Sequence, residues 1–266
     1  VIHVLVTGAA SGIGRAIAAE YSRQGARLTL ADRNDMALDN VAKECIATGA
    51  ADAEPVVGDL SAPEAAEETM AAAWAHAPVD VLVNSAGLYP ATPFLELDAE
   101  TWDRVQSINT RAPLLLTVAL AKRAVAAGTT PNVVTISSGA ALRSRPGAAP
   151  YATSKAAVEV AMRSAALELG AYGIRVNCVS PGFVVVNSDS NPVTDEYADA
   201  AGQNPLGRKG VPEDVARAVA WISSNAAEWV TGTVLRVDGG SSAGNTSLPL
   251  HWGRNLAVSE AAEGTE

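Results

Sequence analysis

Tyr151 and Lys155 stand four residues apart at the start of a helix-like stretch. Both side chains therefore leave one face of a helix, about 6 Å apart along its axis. Ser138 closes a β-branched run thirteen residues before Tyr151. If that run is a parallel strand, Ser138 lies at the carboxyl edge of the sheet, where doubly wound folds bind ligands. A hydroxyl, a phenol and an ammonium gathered there suit general acid–base chemistry on a bound small molecule. Taken singly, they are an ordinary surface Tyr/Lys pair and an ordinary strand-end Ser.

A second constellation, Thr7-Gly8-Ala9-Ala10-Ser11-Gly12-Ile13-Gly14, joins the first strand-like run to the first helix-like one. Glycines there let the backbone turn tightly and approach a pyrophosphate, which sits among the unpaired N–H groups of the helix N-terminus. The spacing is GxxxGxG, not GxGxxG, so its place between strand and helix carries the nucleotide reading; a plain tight turn is the alternative. Asp32 ends the second strand-like run. Its carboxylate can accept hydrogen bonds from both hydroxyls of an adenosine ribose and repels a 2′-phosphate. Arg33 beside it can face such a phosphate, yet the penalty at Asp32 remains, so NAD is favoured as cofactor.

These residues need a scaffold that brings them to one edge. Strand-like runs occur at Ile2–Thr7, Arg27–Ala31, Glu54–Val57, Val79–Asn84, Asn132–Ser137, Ile174–Val179 and Val234–Val237. Most are nearly continuous in Val, Ile and Leu, as expected of strands buried on both faces. Helix-like stretches lie between them, at Ile13–Gln24, Asp35–Thr48, Pro63–Ala75, Ala99–Ala127, Tyr151–Tyr172 and Pro212–Ser223. Ser61 and Asp98 are placed as N-caps, Gly25 and Gly128 as C-caps. The alternation predicts a single-domain α/β fold: a Rossmann-like, doubly wound parallel sheet of about seven strands with helices on both faces. Residues 1–240 form the dinucleotide-binding and catalytic domain, within which the polar stretch 183–211 reads as a substrate lid. Residues 241–266 read as a C-terminal tail. The bland reading of both stretches is mobile surface.

The chain has 266 residues, 48% hydrophobic and 18% charged, and 19 Lys+Arg against 29 Asp+Glu give a net charge of −10. So acidic a surface repels phosphate backbones and anionic lipid, which argues against nucleic-acid and membrane partners. The longest apolar run, Ala112 to Ala121, is about half a membrane span. Cys45 and Cys178 are two and far apart, which fits a reducing cytoplasm and no disulfide framework; with three scattered His, no metal site is expected. No signal peptide is evident, because the chain enters a strand-like run at once.

Together the motifs resemble the short-chain dehydrogenase/reductase family, over essentially the whole chain to Gly240. They are TGAASGIG (Thr7–Gly14), Asp32, Asp59-Leu60, NSAG (Asn84–Gly87), Asn109, ISSG (Ile136–Gly139), YATSK (Tyr151–Lys155), SPG (Ser180–Gly182) and VDGG (Val237–Gly240). The resemblance implies Tyr151 as general acid/base, Ser138 on the substrate oxygen, and Lys155 bound to the nicotinamide ribose and lowering the Tyr151 pKa. Asn109 would hold a relay water. It implies a cofactor site from Gly8, Ser11, Gly12, Ile13, Gly14, Asp32 and Arg33, with Asp59 and Leu60 flanking the adenine. Asn84, Ala86 and Gly87 would line the adenosine ribose, and Pro181, Gly182 and Val184 the nicotinamide. It also implies a homotetramer through the Ala99–Ala127 and Tyr151–Tyr172 helices. Val186 departs from the pattern, standing where the family often has a Thr that touches the carboxamide.

The expected reaction is hydride transfer between NAD(H) and a secondary alcohol or ketone. The rival is a 3-oxoacyl carrier-protein reductase using NADPH, against which Asp32 and the overall acidity argue. A catalytically silent nucleotide sensor would not need Ser138, Tyr151 and Lys155 together. The pocket wall is expected from Leu88, Tyr89, Ala140, Leu142 and Phe183, with Val193, Tyr197 and Leu206 from the lid. The segment 187–210 carries Asp189, Asp195, Glu196 and Asp199, with its cations Arg208 and Lys209 at the far end. That balance suggests a neutral or cationic aryl or alicyclic substrate.

Overall fold

The computed structural model describes residues 1–186 and 194–244. Seven strands, β1 (His3–Thr7), β2 (Arg27–Asp32), β3 (Asp52–Val57), β4 (Val81–Asn84), β5 (Asn132–Ile136), β6 (Arg175–Pro181) and β7 (Val234–Val237), form one sheet in the order β3-β2-β1-β4-β5-β6-β7. Every pairing is parallel. The helices are α1 (Gly12–Arg23), α2 (Asp35–Thr48), α3 (Ala65–His76), α4 (Ala99–Gln106), α5 (Ala112–Ala127), α6 (Ala149–Leu169), α7 (Asp195–Ala201) and α8 (Pro212–Ser223).

Side-chain alternation along each strand divides the core into two layers. Val4 and Val6 of β1, with Leu28 and Leu30 of β2, pack against Ile17 and Tyr21 of α1, Leu38 of α2 and Val219 of α8. Leu5 and Leu82 point the other way, onto Met70 of α3, Leu116 and Leu120 of α5, and Val158 and Met162 of α6. Both faces are covered, so the runs are continuously apolar. At the edge, β3 alternates between exposed and half-buried residues and tolerates Pro55.

Strand order reverses between β1 and β4. The chain winds outward from β1 through β2 to β3, then returns to β4 on the other side. In register, Thr7 pairs with Ala31 and with Asn84, so three strands end at one level. This reversal point, at the carboxyl ends of β1 and β4, is the place where such sheets take ligands.

Several element boundaries differ from the sequence reading for identifiable reasons. The long stretch from Ala99 to Ala127 is two α-helices joined by a π-turn at Ser107–Arg111, in which the Ala112 N–H reaches the Ser107 carbonyl. Ser61 does not cap α3. Its N–H is taken by the Asp59 carboxylate and its carbonyl accepts from Arg111, so the helix starts at Ala65. Asp98 does cap α4, accepting from the Thr101 N–H at 2.8 Å. Gly128 adopts the left-handed C-cap conformation after α5. The short α7, capped by Thr194, lies in a stretch the sequence pattern left irregular. Among the described residues no helix is long and apolar enough to cross a membrane.

Candidate active site

The glycine run after β1 has the geometry of an anion cradle. Gly8 (φ +66°) and Gly12 (φ +53°) hold left-handed conformations. A Cβ on Gly8 would stand 2.7 Å from the Ala86 Cα, and one on Gly14 only 2.1 Å from the Gly8 carbonyl oxygen. The loop therefore folds back tightly on itself and onto the segment after β4. Ser11 is the N-cap of α1 yet makes no side-chain cap bond, so the first-turn N–H groups at Gly12, Ile13 and Gly14 keep no side-chain partner. Uncapped donors at a helix N-terminus suit a diphosphate.

Asp32 and Thr7 brace this cradle. Asp32 accepts the Ala10 N–H on one carboxylate oxygen and the Asn34 N–H on the other, both at 3.1 Å. Each oxygen retains a lone pair for a ribose hydroxyl. Arg33 beside it is exposed. The Thr7 hydroxyl accepts from the N–H groups of Ser85 and Ala86 and tethers the NSAG turn to β1. Asp59 accepts the Ser61 N–H at 2.9 Å, which holds its carboxyl below the usual range, while Leu60 packs against the core. Asn84 corrects one expectation. Its side chain is buried inside the sheet, donating to Thr135 on β5, so only its backbone faces the cleft edge; among the described residues its Oδ1 has no partner.

On the opposite wall, Ser138 leaves β5 and accepts the Ala140 N–H at 3.1 Å, opening a 3₁₀ turn. Tyr151 lies in the first turn of α6, and Ser138 hydrogen-bonds its phenol. Lys155, one turn on, is buried and donates to the Ile136 carbonyl at 2.8 Å, its Nζ 5.8 Å from the centre of the Tyr151 ring. Burial pushes Lys155 down to about 8. The Tyr151 pKa departs from the expectation. Burial pushes it up, the Ser138 hydrogen bond works the other way, and the neighbouring Tyr89 adds to the rise. Desolvating a phenolate costs more than one hydroxyl returns.

Asn109 lies in the π-turn, which swings its amide under the cleft. Oδ1 accepts the Leu88 N–H at 2.8 Å; Nδ2 donates to the Leu88 carbonyl at 2.7 Å and to Ser154 at 3.0 Å. Its two amide hydrogens are thus committed, one to the Leu88 carbonyl and one to the Ser154 hydroxyl. Gly87 lies between Asn109 and Lys155, where a Cβ would be 3.4 Å from the Asn109 Oδ1 and 3.6 Å from the Lys155 Nζ.

The third wall follows β6. Gly182 donates to the Val237 carbonyl and leaves no room for a side chain against Asp238. Val184 forms a parallel bridge with Gly210, and the Val186 methyl comes within 3.4 Å of a Cβ built on Gly12. The segment after Pro181 thus folds back over the phosphate loop. Aromatic pairs frame the opening, Tyr89 with Tyr151 at 6.1 Å and Phe183 with Tyr197 at 6.2 Å between ring centres. Leu142 is 49% exposed and Leu206 72%; Leu206 borders a groove that it shares with Phe183, Val184, Asn204, Arg236 and Asp238. Val193 and Asp189 lie outside the described residues. Asp199 is paired with Lys209 at 2.6 Å.

Sequence reasoning missed Thr7 as a brace, Ser154 as the partner of Asn109, and Arg145. Thr7 and Ser154 sat inside quoted motifs, but nothing in the spacing said where their hydroxyls turn. Arg145 comes from the loop before α6, and its guanidinium carbon stands 5.2 Å from the centre of the Tyr197 ring. Charges counted within 187–210 alone omit this cation.

Known proteins resemble this chain over most of its length. A family model described as enoyl-(acyl carrier protein) reductase matches residues 8–242. Galactitol 2-dehydrogenase (L-tagatose-forming) of Cereibacter sphaeroides is 38% identical over 241 residues, 88% of this chain and 92% of the relative. Human L-xylulose reductase is 34% identical over 240 residues, 90% and 95% of the two chains. A solved structure from Beutenbergia cavernae, titled as an NAD(P)-dependent gluconate 5-dehydrogenase with NADP at low occupancy, superposes with a TM-score of 0.85 at 37% identity. It covers 91% of this chain and 97% of its own. With a family model spanning residues 8–242 and relatives matched over most of both chains, the chain belongs to the short-chain dehydrogenase/reductase family and is an NAD(P)-dependent oxidoreductase.

Proposed function

We propose that the chain oxidises a secondary alcohol, or reduces the matching ketone, with NAD(H), and that Tyr151 is its general acid/base. The convergence of Ser138, Tyr151 and Lys155 beside the glycine cradle carries this reading. When bound, the dinucleotide supplies the two-electron acceptor. Gly8, Ser11, Gly12, Ile13 and Gly14 hold its diphosphate, and Asp32 its adenosine ribose. Ala86, Gly87, Pro181, Gly182 and Val184 line its path across the cleft. Ser138 holds the substrate oxygen beside the Tyr151 phenol, which takes the alcohol proton during oxidation and returns it during reduction. A buried Lys155 with pKa about 8 still carries charge at neutral pH and favours the phenolate; a positively charged ring nearby favours it further. Asn109 fixes Leu88 on the substrate side and, with Lys155, bounds the route by which a water relays the proton.

NAD is preferred over NADP because the half-buried Asp32, fixed by two backbone N–H groups, opposes a 2′-phosphate. The relatives named for galactitol, xylulose and gluconate chemistry favour a small polyhydroxylated substrate over the aryl or alicyclic one that the apolar wall alone suggests. Of the expected lid, the described parts 183–186 and 194–211 border this site through the Phe183–Tyr197 ring pair. The exposed Val118 and Val125 on α5, and Val160 and Leu167 on α6, support a homotetramer built on these helices. Two buried free thiols, Cys45 and Cys178, suit the cytoplasm.

A cofactor-reduction screen of secondary alcohols and polyols, with NAD⁺ and NADP⁺ in parallel, tests the reading. Turnover with NAD⁺ preferred supports it; binding of NAD⁺ without turnover of any alcohol would contradict it.

A further inference from the structure

We propose that Arg145 is a specificity-determining residue that captures an anionic group of the substrate, so that the natural substrate is a hydroxy acid or its oxo counterpart. The proposal rests on the dehydrogenase reading above and names its substrate class. Three observations converge on it.

First, the backbone of Arg145 is anchored beside the cleft. Its carbonyl accepts the Ala148 N–H at the entry to α6, and Gly147 accepts the Thr92 N–H from the opposite loop. Second, the guanidinium lies over the Tyr197 ring, and Tyr197 pairs with Phe183 at the opening. A cation–π contact of this kind does not consume the guanidinium N–H donors, which stay available for a carboxylate. Third, among the described residues no carboxylate lies within ion-pair distance of Arg145, whereas Arg15, Arg123, Arg208 and Arg217 each meet one. Other arginines, among them Arg33, Arg143 and Arg236, also lack an acidic partner among the described residues; Arg145 differs in standing beside Tyr197 at the opening and in acting on the Tyr151 phenol. The acids on the same wall do not claim it: Asp199 is committed to Lys209, and Asp195 and Glu196 are exposed on α7. The cation is also close enough to act on the Tyr151 phenol, which it favours in the ionised form. A substrate anion seated on Arg145 therefore lies in the same cleft as the reacting carbinol.

The competing role is a clamp that merely holds α7 against the α6 entrance. Galactitol and galactonate separate the two, because they share a six-carbon hydroxylated chain and differ by a terminal alcohol against a carboxylate. The parent enzyme is expected to give the higher kcat/KM with galactonate. In Arg145→Met the galactonate-to-galactitol ratio should fall by roughly 10- to 100-fold, the usual effect of losing a charge-assisted pair. Arg145→Lys should restore part of it. A clamp lowers both substrates by one factor, and an unchanged ratio overturns the proposal, as does a parent preference for galactitol. Thermal stabilisation of the NADH-bound protein by galactonate gives a readout independent of turnover. If no alcohol is turned over but galactonate still stabilises the parent and not Arg145→Met, anion capture stands and the dehydrogenase reading falls. Turnover of polyols with no Arg145-dependent effect of the carboxylate leaves the dehydrogenase reading and removes the proposal.

Discussion

Replacing Asp32 by Ala separates two duties that the structure gives one carboxylate. Each oxygen accepts a backbone N–H at 3.1 Å, from Ala10 in the glycine loop and Asn34 at the α2 cap. A buried hydrogen bond to a charged group contributes about 1.5–3 kcal/mol. Asp32 is half-buried, so screening brings each bond nearer ~1 kcal/mol. Loss of both should cost roughly 2 kcal/mol, which lowers Tm by about 4–8 °C in a domain of this size. The second duty concerns cofactor choice. Removing the acceptor of the ribose hydroxyls weakens NAD, and removing the charge admits a 2′-phosphate alongside Arg33. The NAD⁺/NADP⁺ ratio of kcat/KM should fall by about 5- to 150-fold, equivalent to roughly 1–3 kcal/mol. The assay pairs thermal unfolding with initial rates on both cofactors. Asp32→Asn, which keeps one acceptor oxygen, should give an intermediate ratio. A lower Tm with an unchanged ratio would refute the reasoning, because Asp32 would then serve the loop alone.

Other substitutions and conditions probe the scaffold. Gly14→Ala forces a Cβ to within 2.1 Å of the Gly8 carbonyl oxygen; it should cost about 1–3 kcal/mol of stability and weaken NAD binding, measured by denaturation and by titration. Asn109→Ala removes three hydrogen bonds and leaves both backbone groups of Leu88 unpartnered; unfolding free energy should drop by roughly 2–4 kcal/mol. His3 is buried with its ring between the Ala77 carbonyl and the Thr29 hydroxyl, and burial lowers its pKa from 6.5. Well above pH 6.5 it is neutral folded or unfolded and contributes no pH dependence. As the pH falls below that value, the unfolded chain takes up a proton that the fold resists, so stability declines by up to about 1.4 kcal/mol per pH unit. Denaturation of the parent and His3→Gln between pH 5 and about 7.5 should show the shallower slope in the variant; equal slopes would exclude His3 as the cause.

The fold was largely legible because its signals are local. Continuous Val, Ile and Leu runs mark strands covered on both faces, and the β2, α2 and α8 regions emerged nearly to the residue. The glycine loop and the Tyr151–Lys155 pair were legible because each needs a fixed spacing on one element. What escaped depends on long-range geometry. The π-turn around Asn109 arises where α4 and α5 meet α6, and helical periodicity carries no trace of one extra residue in a turn. Asn84 was placed at the ribose from its motif, but its side chain turns into the sheet toward Thr135. The pKa of Tyr151 follows from how deeply the ring is buried, which spacing does not report. Arg145 reaches the cleft from a loop some forty residues before the segment expected to govern substrate charge. Counting charges segment by segment loses what the tertiary fold brings together.

The most direct test of the central claim is a single-turnover measurement of cofactor reduction in Tyr151→Phe beside the parent, with NAD⁺ binding measured on the same preparations. The substitution keeps the ring against Tyr89 and removes only the oxygen that Ser138 engages. If Tyr151 moves the proton, the rate falls by at least ~10²-fold while cofactor affinity stays within a few-fold. A rate within a few-fold of the parent would show that the proton travels by another group.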